Sequence, residues 1–135
     1  MKTIWTATQV AISTIGGALG WFFGGLDGAF FVLIAFVIAD YVTGVLYAIS
    51  TKTLSSAVGF RGIARKFLIF ILVGIANLLD VNVIGNAGVL RTAVIFFYIS
   101  NEGVSMLENA GRLGLPIPQK IKDVLAQLHD KEDPK

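Results

Sequence analysis

The chain has no cysteine, one histidine, three prolines and only 15% charged residues. Without cysteine, disulfides and thiolate metal sites are excluded. The lone histidine, His129, lies in a polar tail, Ser55 and Ser56 have no base beside them, and no glycine–lysine phosphate loop occurs. No catalytic residue, cofactor site or metal site is therefore expected, and the chain reads as a non-enzyme. A net charge of +2 is too small to argue for a nucleic-acid partner. A soluble domain normally carries about a quarter of its residues as charges. With 55% of 135 residues hydrophobic and a mean hydropathy of +0.75, too few polar groups remain to coat a globule. These shortages predict an all-α integral membrane protein.

The apolar residues fall into four segments, at about 4–24, 29–49, 67–84 and 87–107. Each approaches the ~20 residues that a helix needs to cross the hydrocarbon core. The first is the most polar, because Thr6, Thr8, Gln9, Ser13 and Thr14 interrupt it, and it is read as retained rather than as a cleaved leader. Leu26-Asp27-Gly28 and Gly85-Asn86-Ala87-Gly88 are turn signals, so neighbouring segments are expected to form antiparallel hairpins. A basic loop from Ser50 to Lys66 carries Lys52, Arg61, Arg65 and Lys66, which assigns it to the cytoplasm. With four spans, ten of the eleven cationic side chains share that face and only Arg91 lies near the other. Both termini are then cytoplasmic. The alternative is three spans plus one interfacial helix. Residues 1–115 form the membrane domain in this reading. Pro116 and Pro118 end it, and 116–135 form a cytoplasmic amphipathic helix, with Ile121, Val124, Leu125 and Leu128 on one stripe, and a polar tail.

The exceptions to the apolar pattern carry the functional signal. Asp40 stands mid-span, where a carboxylate costs roughly 2.5–3.5 kcal/mol on insertion scales. Such groups usually face a bundle interior or a wet path, although a neutral, merely packed Asp40 is the plainer alternative. Asp80 and Arg91 flank one turn near the outer boundary and are expected to form an ion pair that locks the hairpin. Glu102, Ser105, Asn109 and Arg112 lie on one helical stripe with Asn101 beside it, and such a stripe faces protein or water. Gly16, Gly20 and Gly24 recur at intervals of four, the spacing of a close helix–helix seam, and predict self-association. Phe60, Ile63 and Phe67 interleaved with the loop cations favour an anionic lipid surface. One functional class consistent with these features is a small homo-oligomeric ion channel or proton-coupled transporter. Another is a membrane scaffold working through its tail.

The order of certain residues resembles the toxin-secretion and phage-lysis holins of bacteria and their phages. The resemblance runs from about Ala29 to Leu128. It rests on Asp40 with Thr43-Gly44 and Ala48, then Lys52 with Leu54-Ser55-Ser56, then Gly59, Gly62, Arg65 and Lys66. Asp80, Arg91 and the run Phe97 to Glu102 follow, then Ser105, Glu108-Asn109 and Gly114-Leu115-Pro116-Ile117-Pro118. The first segment matches by hydropathy alone. The resemblance implies a protein that oligomerises in the host cytoplasmic membrane and opens pores or lesions. An endolysin or toxin would leave through them without direct contact, leading to host cell lysis.

Overall fold

A computed structural model describes residues 1–85 and 88–132. Asn86, Ala87 and the tail residues Asp133, Pro134 and Lys135 lie outside the described residues, as do the side chains of residues 128–132, Leu128 and His129 among them. The described residues form five α-helices and no strand. Helix α1 is Lys2–Phe23, α2 Gly28–Ser50 and α3 Ser56–Leu79, the last continued by a π-helical turn at Asp80–Ile84. Helix α4 is Val89–Arg112 and α5 Gln119–Glu132.

Helix α2 starts where Asp27 accepts a hydrogen bond from the Phe30 N–H at 3.0 Å. Helix α3 starts eleven residues before the expected Phe67, at Ser56, because the Ser55 hydroxyl accepts from Val58 N at 3.1 Å. Nothing between Ser56 and Phe67 breaks a helix. Most of the expected basic loop is therefore the first three turns of α3, and only Thr51–Ser55 connects the two helices. With the π-helical turn included, α3 reaches 29 residues. Among the described residues, it and α2 are the two helices that are long and apolar enough, by length and composition, to cross a membrane.

The core joins Phe30, Leu33 and Val37 of α2 to Ile69 and Val73 of α3 and Ile95 and Ile99 of α4. Helix α4 is the hub, touching α2, α3 and α5. The opposite faces stay apolar: Ile38, Val42 and Leu46 on α2, and Phe67, Leu68 and Ile71 on α3, are all exposed. An apolar exterior around a small core of this kind takes lipid as its solvent.

Helix α1 departs from the expected hairpin. Its backbone approaches α3 rather than α2, and none of its residues is buried. Gly24 and Gly25 adopt φ of 79° and 107°, a turn open to glycine that carries the end of α1 onto α3. There Phe22 lies where a side chain at Gly74 would stand, and the Asn77 amide donates to the carbonyls of Trp21 and Phe22 at 3.2 and 3.1 Å. Thr6, Thr8 and Thr14 donate to carbonyls four residues back, so their hydroxyls are satisfied without water or a partner.

Candidate functional site

Polar side chains collect in two layers of the bundle, roughly 20 Å apart by the thirteen-residue rise from Asp27 to Asp40. The outer layer ties the helix ends together. Asp80, fully buried, caps α4 by accepting from Leu90 N and Arg91 N at 2.8 and 2.9 Å. The Arg91 guanidinium turns away from Asp80. It forms a forked pair with Asp27 at 2.9 and 3.2 Å and donates to the carbonyls of Phe23 and Gly25. The expected Asp80–Arg91 ion pair is thus replaced by a relay in which Asp80 holds the arginine backbone and Asp27 its charge. The guanidinium beside Asp27 holds that carboxyl below its usual value.

The inner layer is an ion cluster. Lys66 Nζ lies 2.7 Å from Asp40 Oδ2 and 2.5 Å from Glu102 Oε2, joining α2, α3 and α4 through one ammonium. Asn109 Nδ2 donates to Asp40 Oδ1 and to Thr43 Oγ1, each at 3.2 Å. Two carboxylates and one ammonium leave one formal negative charge, held by hydrogen bonds rather than by a fourth ion. Among the described residues, no buried side-chain nitrogen or oxygen lacks a partner. Buried ions are tolerable only on that condition.

Beside the cluster a chamber of about 650 Å³ opens between α2, α3 and α4. Asn101, Ser105 and Arg65 share its wall with Asp40, Lys66 and Glu102. Tyr41 crosses it, with its ring against Gly62 and its hydroxyl 3.5 Å from the Gly59 carbonyl. The volume suits a small ligand or a file of water.

The expected site residues therefore separate. Asp40, Asn101, Glu102 and Ser105 come together at the chamber, whereas Asp80 and Arg91 belong to the outer layer. Lys66 leaves the expected basic loop for the inner cluster, while Lys52, Arg61 and Arg65 remain exposed. Gly16 and Gly20 have open space where a side chain would project. Gly24 instead lies against Asn77 and Arg91 of its own chain, outside α1 and off the seam face.

Sequence reasoning missed Lys66 as the partner of Asp40. A signal was present, because the two are 26 residues apart with Thr53 midway. In a helical hairpin, positions equidistant from the turn stand level. Asn77 and Asp27 were missed for another reason: their partners belong to α1 and α4, whose placement no local pattern specifies.

Apolar helices around two polar layers whose groups are paired internally define a helical membrane protein of small size. The chain belongs to the bacteriophage holin family, whose model matches residues 17–130. It is 40% identical over 98 residues to a probable holin of Bacillus phage phi105, covering 73% of this chain and 72% of that one. An uncharacterized protein of Clostridium perfringens is 39% identical across 98% of this chain and all of its own length. One from Listeria monocytogenes is 43% identical over 117 residues, 87% of this chain and 83% of its own. No solved structure matches. The holin family is not a family of enzymes.

Proposed function

We propose that the protein is a holin that assembles in the bacterial cytoplasmic membrane and opens lesions through which an endolysin or toxin passes. The observation that carries this reading is the Asp40–Lys66–Glu102 cluster on the wall of a chamber, in helices whose outer faces are apolar. Lipid cannot solvate such charges, so in the single chain they pair with one another. In a large assembly the same groups would line water. The two states then differ by exchanging an internal ion cluster for a hydrated one, and packed interfaces with two arrangements switch between them for a few kcal/mol.

In this reading the more polar α1 and α4 cross the membrane beside α2 and α3, with both termini and residues 116–135 on the cytoplasmic side. The exposed Arg61 and Arg65 on α3 and Lys52 before it favour anionic lipid there. Helix α1, unburied and bearing Gly16 and Gly20 on an open face, supplies the contact between copies. The protein performs no chemistry, and its hydrolase or toxin needs only the opening.

Induction of this protein alone should arrest growth and collapse the membrane potential, and co-expression with an endolysin should lyse the cells. Cells that keep their potential at high expression would refute the proposal. The 650 Å³ chamber with its paired carboxylates favours one competing reading, a small cation-coupled transporter. That reading predicts a discrete dimer and an Asp40→Asn variant that loses uptake without any toxicity in the parent protein.

A further inference from the structure

The α4 turn from Ile99 to Gly103 is buried except at Asn101, which lines the chamber. Ile99 and Ser100 face the core, and Glu102 reaches Lys66. The side at Gly103 is closed by Leu125 of α5 together with Phe36 of α2. A side chain begun at Gly103 would stand 2.8 and 3.1 Å from the Leu125 methyls and 3.0 Å from the Phe36 ring. A larger residue there would have to displace Leu125, because α5 folds back along α4 and presses that side chain into the notch. Leu125 is 5% exposed, whereas Ile121 and Val124 are 47% and 56% exposed. Leu125 is the one buried side chain among the described residues of α5.

The other described side chains of α5 are exposed, and none of them joins the core shared by α2, α3 and α4. It is attached through Leu113–Pro118, a link turned at Gly114 with φ 89° and stiffened by two prolines. Among the described side chains of α5 Leu125 alone is buried, so its detachment exposes little further apolar surface of that helix. What it covers is a small-residue notch, the kind of helix surface that associates in lipid.

We propose that α5 is an autoinhibitory clasp. While docked, Leu125 covers Gly103 and supports the α4 turn that holds Glu102 against Lys66. Undocking uncovers the notch and loosens the cluster held by the adjacent residue, Glu102, of the same turn. Assembly then begins. The clasp rests on the pore-forming reading and adds its trigger point.

The absence of cysteine makes the test direct. Gly103→Cys with Leu125→Cys introduces the only two thiols, and removing the leucine methyls makes room for the new side chain. Copper-phenanthroline would oxidise the pair to a disulfide and fasten α5 to α4. The purified full-length double variant would be placed in vesicles containing phosphatidylglycerol and a trapped dye. Burial of one leucine corresponds to about tenfold or more in an equilibrium, so the oxidised form should release dye at least tenfold more slowly than the reduced form. Each single-cysteine variant should be indifferent to oxidant, and Leu125→Glu should release faster than the parent. Equal release from oxidised and reduced protein would overturn the clasp, as would failure of the disulfide to form. If the parent, the reduced form and Leu125→Glu all leave the vesicles sealed, the pore-forming reading fails and takes the clasp with it.

Discussion

Asp80 and Arg91 meet through the arginine backbone, not through its charge. The carboxylate accepts from Leu90 N and Arg91 N, while the guanidinium pairs with Asp27 and binds the carbonyls that end α1. One residue is therefore held by its backbone at the start of α4 and holds, with its side chain, the junction of α1 and α2. The end of α1 is fastened to the bundle here and at Asn77. The rest of α1 stands free.

Asp80→Ala should remove the α4 cap and cost about 0.5–2 kcal/mol, the usual range for losing a capping side chain. Asp80→Asn should lose less, because an amide oxygen still accepts one of the two N–H groups. Thermal unfolding in detergent, followed by circular dichroism, would rank the two. Equal loss from both variants would show that the charge of Asp80 matters and its cap does not.

Arg91→Lys keeps the charge but cannot supply the fork on Asp27 and both carbonyls together. The end of α1 should loosen, and a cysteine placed at Phe22 should label faster than in the parent. Acid should have a related effect. The carboxyl of Asp27 is held below its usual value of 3.8, so the stabilisation it brings is complete above that value. It is lost as pH falls through the lower, folded-state value. Labelling at Phe22, taken as a ratio to a fully exposed control cysteine so that the thiolate fraction cancels, should stay flat from neutral pH down to about 4 and rise only below that. A rise near pH 6 would exclude Asp27 as its source.

Lys66→Met leaves Asp40 and Glu102 facing each other without a counter-ion. Breaking a buried pair in this way costs about 3–5 kcal/mol. The variant should accumulate poorly or depolarise cells early. Glu102→Gln retains the Lys66–Asp40 pair and should be milder. If Lys66→Met accumulates normally and triggers on time, the inner cluster does not hold the single chain together.

Gly20→Leu meets open space within the chain and should leave monomer stability unchanged. In contrast, it should weaken chemical cross-linking between copies by filling the face of α1 through which they pack. Gly74→Leu tests the other contact of α1, since its side chain would collide with Phe22. It should free α1 without changing α2–α4. Unaltered cross-linking in Gly20→Leu would remove α1 from the assembly surface.

Composition and hydropathy were enough to predict an all-helical chain with little to cover it but lipid. That part was legible because apolar surface is additive along a sequence: each residue contributes alike wherever it ends up. The sites of exception were legible too, since a carboxylate such as Asp40 within an apolar run is conspicuous without any structure. Pairings were not. Whether Arg91 answers Asp80 or Asp27, and whether Lys66 belongs to a surface loop or between two buried carboxylates, depends on how helices rotate and cross. Those rotations come from packing among residues far apart in the chain, such as Phe22 on Gly74 and Leu125 on Gly103. A one-dimensional pattern shows that a charge needs a partner, but only the three-dimensional arrangement brings one within hydrogen-bonding distance.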